Sequence, residues 1–322
     1  MKVLVTGGAG FIGSHLVEQL VASGCGDVTV LDDFNSFYDP SIKHGNLEQV
    51  ASQIELVQGD IRDRGLIDRL FAERRFDTVI HLAARAGVRP SIQHPELYLR
   101  VNIDGTFHLL EAARQHGVQR FIFASSSSVY GINKKVPFSE DDPIQRTISP
   151  YAATKLAGEQ LCSNYAHLFD MQVVCLRFFT VYGPRQRPDL AISKFVRLID
   201  EGKPIERYGD GSTGRDYTYV ADIVDGIMGS LRYQREPFAI FNLGGSHAVT
   251  LSELIEEIEL AMGRKARIVE LPPQPGDVPF TFADVTKAGR ELGYHPKFPI
   301  REGIRRYVEW HNSRKETAVG IA

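Results

Sequence analysis

Cysteine, long apolar runs and an excess of charge of either sign are all scarce or absent in this sequence. Its 322 residues include three cysteines, Cys25, Cys162 and Cys175, and no CxxC pair. An odd number of widely separated cysteines is typical of a reducing compartment and offers no zinc site. We therefore expect three packed free thiols and no metal centre.

The apolar and charged residues are distributed as in a soluble globular protein. The N-terminal segment lacks the long apolar core of a signal peptide, and nowhere do 18 apolar residues follow one another. The 37 lysines and arginines nearly balance the 40 aspartates and glutamates, and both kinds are spread along the chain. This balance excludes a strongly basic surface for nucleic acid or an anionic membrane. We expect a cytoplasmic protein that holds any anionic ligand with a few placed groups.

Over about the first 180 residues, short β-branched segments alternate with longer segments of helical periodicity. This alternation predicts an α/β fold of the Rossmann type, a doubly wound parallel sheet with helices on both faces. Proline and glycine collect after that point, although a helix over 220–231 and a strand over 239–243 could return to the large sheet.

The pattern predicts two domains of unequal size. The larger comprises residues 1–178 plus about 216–245, and the smaller α/β domain comprises about 179–215 and 246–322. In the smaller domain Thr250 and Glu253 form a capping-box pattern, which predicts that a helix begins there.

The first predicted strand leads into a glycine-rich turn that opens a helix, with glycines at 7, 10 and 13. Such a turn lets backbone amides approach a pyrophosphate at the positive end of the helix. Asp32 follows about twenty residues later, where a carboxylate binds a ribose diol and repels a 2'-phosphate. The motif therefore predicts NAD rather than NADP. The alternative is that Asp32 is a strand-end turn residue, because Asp33 and Asn35 lie beside it.

Tyr151 and Lys155 lie four residues apart at the start of a predicted helix, and so share one face of it. They follow the fifth strand, whose end carries four serines, Ser125 to Ser128, at the edge where doubly wound sheets bind ligands. The ammonium group of Lys155 and a nicotinamide ring are expected to lower the pKa of the phenol from about 10 towards about 7. Tyr151 could then take a proton from a sugar hydroxyl. The alternative is an exposed helical pair with a solvated lysine.

Taken together, these residues resemble the extended short-chain dehydrogenase/reductases, and within them the NAD-dependent nucleotide-sugar 4-epimerases. The resemblance runs from Gly7 to about Trp310 and includes the glycine turn, the serine run, the Tyr151/Lys155 pair, and the segments 209–211 and 215–217. It is strongest to the UDP-glucuronate 4-epimerases, over 84–89, 125–131, 176–184 and 187–189.

Two departures within the superfamily bear on the reaction. UDP-glucose 4-epimerases usually have asparagine at the position of Thr180. The related 4,6-dehydratases and uronate decarboxylases carry an acid in the serine triplet that here is Ser126, Ser127 and Ser128. The lack of a carboxylate in this triplet favours plain epimerisation.

The resemblance implies a set of site residues. Catalysis is expected from Tyr151, Lys155 and Ser126, with Ser126 bonding the C4 oxygen. The implied NAD contacts are Gly7, Gly10, Phe11, Ile12, Gly13, Asp32, Asp33, Asn35, Asp60, Ile61, Leu82, Ala83, Ala84, Tyr151 and Lys155. The implied substrate contacts are Gly87, Val88, Ser126, Ser127, Ser128, Tyr151, Phe179, Thr180, Arg187, Arg215, Gln274 and Asp277. Arg215 is expected at the diphosphate and Asp277 at a ribose, and Gln274 replaces an arginine that clamps the diphosphate.

The reaction implied is epimerisation of a UDP-sugar at C4 through a transient 4-keto sugar, with UDP-glucuronate converted to UDP-galacturonate. A 4-keto uronate is a β-keto acid that loses CO2 when the scissile bond aligns with the carbonyl, so the carboxylate must be held out of alignment. Arg187, or else Arg185 or Arg89, is the expected cation. The alternatives are a UDP-glucose or UDP-N-acetylglucosamine 4-epimerase, or a non-catalytic NAD-binding scaffold. A homodimer is expected through helices 102–115 and 151–169.

Overall fold

A seven-stranded parallel sheet forms the centre of the molecule in a computed structural model that describes residues 1–272 and 280–319. The strands are β1 (Lys2–Thr6), β2 (Asp27–Asp32), β3 (Glu55–Gln58), β4 (Thr78–His81), β5 (Arg120–Ser126), β6 (Gln172–Phe178), β7 (Thr180–Tyr182), β8 (Ile205–Tyr208), β9 (Gly214–Arg215), β10 (Tyr217–Tyr219), β11 (Phe238–Leu243), β12 (Val249–Thr250), β13 (Ile268–Leu271) and β14 (Phe280–Thr281). The order across the large sheet is β11-β6-β5-β4-β1-β2-β3. Strand order reverses between β1 and β4, which is where ligands of such sheets bind.

Helices cover both faces of this sheet. They are α1 (Phe11–Ala22), α2 (Pro40–Leu47), α3 (Arg64–Arg74), α4 (Val88–Gln93), α5 (Pro95–Leu99), α6 (Gly105–Gln115), α7 (Pro150–Phe169), α8 (Ala191–Asp200), α9 (Val220–Ser230), α10 (Leu251–Met262), α11 (Thr286–Leu292) and α12 (Ile300–Val319). Successive residues of β1 show the two faces, because Val3 and Val5 pack with α1 and α9 whereas Leu4 packs with α3, α6 and α7. The predicted doubly wound α/β fold is confirmed.

The second half of the chain contributes both to the large sheet and to a separate core. The prediction that a helix and a strand return to the large sheet is confirmed, since α9 packs on α1 and β11 pairs with β6. A separate core lies between α8, α10 and α12. The predicted capping box is present at the start of α10, where the hydroxyl of Thr250 accepts from the amide of Glu253 and the Glu253 carboxylate accepts from that of Thr250.

The helix predicted over 102–115 begins differently. A single π-helical turn, Arg100–Asp104, precedes α6. Asn102 lies in this turn with its side chain buried, and its amide bonds the backbone of Arg85 and the hydroxyl of Thr154. A polar side chain buried in this way needs its partners, and the periodicity of the sequence does not reveal them.

No helix in the described ranges is both long and apolar enough to cross a lipid bilayer.

Candidate active site

A cleft of about 540 Å³ opens at the carboxyl ends of the central strands, beside the point where strand order reverses. All fifteen residues predicted to contact NAD lie in its wall, as do the predicted substrate residues at 87, 88, 126–128, 179, 180 and 187. Gln274 and Asp277 lie outside the described residues. The structure thus brings most of the predicted site together, and the role of each residue stays a prediction.

The glycine turn has the shape that a pyrophosphate needs. Gly7 has a φ of +71°, and a Cβ atom there would lie 2.7 Å from the backbone nitrogen of Ala83. At Gly13 a Cβ atom would lie 2.2 Å from the carbonyl oxygen of Gly7. No side chain caps the N-terminus of α1, and its first turn has no acidic residue. The turn therefore presents bare backbone and the positive helix end to the cleft, which fits a dinucleotide.

Asp32 makes the contacts of a strand-end turn residue and also lines the cleft. One of its carboxylate oxygens accepts from the amide of Phe34 and the ammonium of Lys43, at 3.0 and 3.1 Å, and the other accepts from the amide of Ala9 at 3.2 Å. It therefore organises the turn while it lines the cleft, and one of its roughly four acceptor positions remains for a ribose hydroxyl. Lys43 itself was missed, because its approach to Asp32 depends on the fold of the intervening loop.

Tyr151 lies in the first turn of α7, which begins where Ser149 accepts from the amide of Ala152 at 3.1 Å. Burial raises the pKa of Tyr151, whereas the nearby hydroxyl of Ser126 and the charge of Arg187 act to lower it. Lys155 donates to the carbonyl oxygen of Ala124 at 2.6 Å. In this structure the Lys155 ammonium is turned to β5 and burial dominates at the phenol, and the lowering of the Tyr151 pKa by Lys155 together with a nicotinamide ring stays a prediction.

The Lys155 ammonium is itself buried, and burial lowers its pKa to about 8.

The serines at the end of β5 and directly after it line the same cleft as Tyr151. The hydroxyl of Ser126 donates to that of Ser128 at 3.1 Å and accepts from the Ser128 amide at 3.2 Å. Of the described residues in the wall, the carboxylates are Asp32, Asp33 and Asp60, none of which belongs to the serine run.

The three candidate arginines have different surroundings. Arg187 lines the cleft, pairs through two hydrogen bonds with Asp189 at 3.0 and 2.9 Å, and lies 5.3 Å from the ring centre of Phe37. Arg185 instead pairs with Glu18 of α1. Arg89 lies 5.5 Å from the ring centre of Tyr208. Neither of these two lies in the described wall of the cleft, so the geometry favours Arg187.

Arg215, the predicted diphosphate contact, lies outside the cleft wall that the structure describes. It belongs to β9, which pairs with β12 and β14 in a separate three-stranded sheet. The side chain donates to the carbonyl oxygen of Gly214 at 2.9 Å. Its charge acts on Tyr217, which lines the cleft, and its predicted contact with the diphosphate stays a prediction.

The fold and this cleft together define a Rossmann-fold protein of the short-chain dehydrogenase/reductase class. The family model described as GDP-mannose 4,6 dehydratase matches residues 4–307, and the chain belongs to that family.

Similar proteins include epimerases of two sugars. The chain is 42% identical to UDP-glucuronate 4-epimerase 1 of Arabidopsis thaliana, over 97% of this chain and 77% of that protein. The structure of a Bacillus cereus UDP-glucuronic acid 4-epimerase with UDP-glucuronic acid and NAD has a TM-score of 0.91 at 36% identity, covering 98% of this chain and 100% of that one. A Thermotoga maritima UDP-glucose 4-epimerase with UDP-glucose has a TM-score of 0.90 at 33% identity, with the same coverage.

Proposed function

We propose that this protein is an NAD-dependent UDP-sugar 4-epimerase that converts UDP-glucuronate to UDP-galacturonate. The observation that carries the proposal is that Arg187 lines the same cleft as Tyr151 and Ser126, and acts electrostatically on Tyr151. A cation in the same cleft wall as the phenol suits a sugar that carries a carboxylate next to its reacting carbon. The bare glycine turn and Asp32 support NAD as the cofactor.

In the proposed reaction Tyr151 takes the proton of the C4 hydroxyl, and Ser126 donates a hydrogen bond to the same oxygen. Ser126 and Arg187 favour the phenolate against the effect of burial. NAD, when bound in the cleft, supplies reversible acceptance of a hydride. Lys155 keeps α7 against β5 through the Ala124 carbonyl. The same phenol returns the proton after the keto sugar has presented its other face.

The carboxylate of the substrate needs its own contacts. Arg187 can offer the guanidinium edge that Asp189 does not occupy, and Thr180 lies in the same wall. These contacts hold the carboxylate in a rotamer that is not aligned with the C4 carbonyl, so CO2 is retained. Residues 1–178 with about 216–245 are the proposed NAD domain, and about 179–215 with 246–322 the proposed sugar domain.

The test is to incubate the purified protein with UDP-glucuronate, without added cofactor, and to follow the sugar by NMR. We expect the C4 epimer, because the cofactor is regenerated in each turnover. A UDP-pentose product would mean a decarboxylase. Parallel samples of UDP-glucose and UDP-N-acetylglucosamine test the other epimerases, and no turnover of any sugar would favour the non-catalytic scaffold.

We also propose a homodimer. Phe107 of α6 is 41% exposed, and Leu168 and Phe169 at the end of α7 are 64% and 43% exposed. Exposed apolar side chains of this size on these two helices are typical of a protein interface. Light scattering should give the mass of a dimer, and Leu168→Asp should give a monomer. A monomeric wild-type protein would contradict this assignment.

The compartment proposed is the cytoplasm. All three cysteines are free thiols, which is typical of reducing compartments. Cell fractionation that recovers the protein elsewhere would contradict it.

A further inference from the structure

A buried ion pair lies behind the site, away from the described wall of the cleft. Arg177 of β6 donates from its Nε and Nη2 atoms to the two carboxylate oxygens of Glu159 of α7, at 2.9 and 2.8 Å. Their side chains are only 3% and 1% exposed. A pair buried this deeply gains little stability over apolar side chains of the same size, because both charges lose their water. The presence of this pair therefore needs an explanation other than stability.

Glu159 belongs to a pair of contacts that join α7 to the end of β5. Residues 151, 155 and 159 are spaced four apart and so share one face of α7. Lys155 donates to the carbonyl oxygen of Ala124, and the hydroxyl of Ser125 donates to Glu159 at 2.5 Å. Two consecutive strand residues are thus held by successive turns of the helix, and Ser126, the next residue of the strand, lines the cleft with Tyr151.

Arg177 makes a further contact just beyond the serine run. It pairs in register with Ser125 across β5 and β6. Its guanidinium lies 4.8 Å from the ring centre of Tyr130, whose hydroxyl donates to Asn242 at 2.7 Å. The serines at 126–128, which line the cleft, therefore lie between two points that the ion pair holds.

We propose that Glu159 and Arg177 are positioning residues that hold Ser126 against Tyr151 and Lys155 against β5, so that proton transfer at the phenol has a fixed geometry. Neither residue touches the cleft, so neither is a catalytic residue. The proposal rests on the proposed function through the role that it assigns to Tyr151. The negative charge of Glu159 also acts against the burial that lowers the pKa of Lys155.

The mildest variant is Ser125→Ala, which removes the hydroxyl bond from β5 to Glu159 while both charges keep each other. The matched control is Ser230→Ala in α9, since Ser230 is equally buried and makes one hydroxyl bond, to the carbonyl oxygen of Ile227 at 2.7 Å. A second variant, Glu159→Gln with Arg177→Met, removes both charges together and leaves neither unpaired.

Two measurements are made on each variant. One is kcat and KM with UDP-glucuronate, and the other is ultraviolet titration of the Tyr151 phenol, obtained as the difference from the same protein carrying Tyr151→Phe. We expect Ser125→Ala and the double variant to lose about tenfold in kcat, because hydrogen-bond geometry governs proton transfer. KM should stay within about twofold, and Tyr151 should ionise at higher pH because the Ser126 hydroxyl, which lowers its pKa, is less well placed. Ser230→Ala should match the wild type in both measurements.

The proposal is overturned if both test variants ionise Tyr151 at the wild-type pH and keep the wild-type kcat, whatever their melting temperatures. If Ser125→Ala does not fold, the double variant decides by the same criteria. The phenol titration needs no substrate. A wild-type protein that turns over no UDP-sugar would therefore overturn the proposed function, while the titration would still decide the positioning of Tyr151.

Discussion

Arg187→Met should weaken the binding of UDP-glucuronate far more than that of UDP-glucose. A hydrogen bond to a charged group contributes about 1.5 to 3 kcal/mol. Arg187 already shares its charge with Asp189, whose side chain is 41% exposed, so we take about 2 kcal/mol, or roughly 30-fold in Kd. UDP-glucose, which has no carboxylate, should lose less than about threefold by the same reasoning. Calorimetry on a Tyr151→Phe background measures both affinities without turnover.

The chain offers a close control in Arg185→Met. Arg185 also forms an ion pair, with Glu18, and its side chain is 15% exposed compared with 17% for Arg187. Because Arg185 lies outside the described cleft wall, its loss should change neither affinity. Equal weakening of both sugars by Arg187→Met, or equal effects of the two arginine variants, would refute the assignment of the carboxylate contact.

Three other variants test the rest of the site. Gly13→Ala should abolish bound NAD, as measured by absorbance after denaturation, because its Cβ would lie 2.2 Å from the Gly7 carbonyl oxygen, whereas Gly45→Ala, with nothing within 4 Å, should keep it. Tyr151→Phe should retain NAD and lose about 10²- to 10⁴-fold in kcat; a near-normal rate would exclude its role as the base. Burial lowers the pKa of Lys155 to about 8 from 10.5, so between these values the unfolded chain binds this proton and the native protein does not. The free energy of unfolding of wild type relative to Lys155→Met should therefore rise with pH across that window, and a flat difference in denaturant titrations would contradict the assignment.

The central sheet and the glycine turn could be predicted because both depend on local pattern. The strands that form its middle are continuous β-branched runs buried on both faces, and the turn needs glycine at specified positions whatever lies further along the chain. For the same reason Tyr151 and Lys155 could be placed together, since four residues on a helix make neighbours.

What could not be predicted depends on contacts between distant segments. Lys43 reaches Asp32 only once the loop between them has folded. The direction of the Lys155 ammonium depends on the carbonyl oxygen of Ala124, which lies on another element.

The most direct test of the account places deuterium at C4 of UDP-glucuronate and follows the label by NMR during epimerisation in ordinary water. If one hydrogen leaves the ring carbon and returns to it within the cleft, the UDP-galacturonate formed should keep the deuterium at C4. Loss of that deuterium to the solvent as product forms would contradict a hydride mechanism at this site.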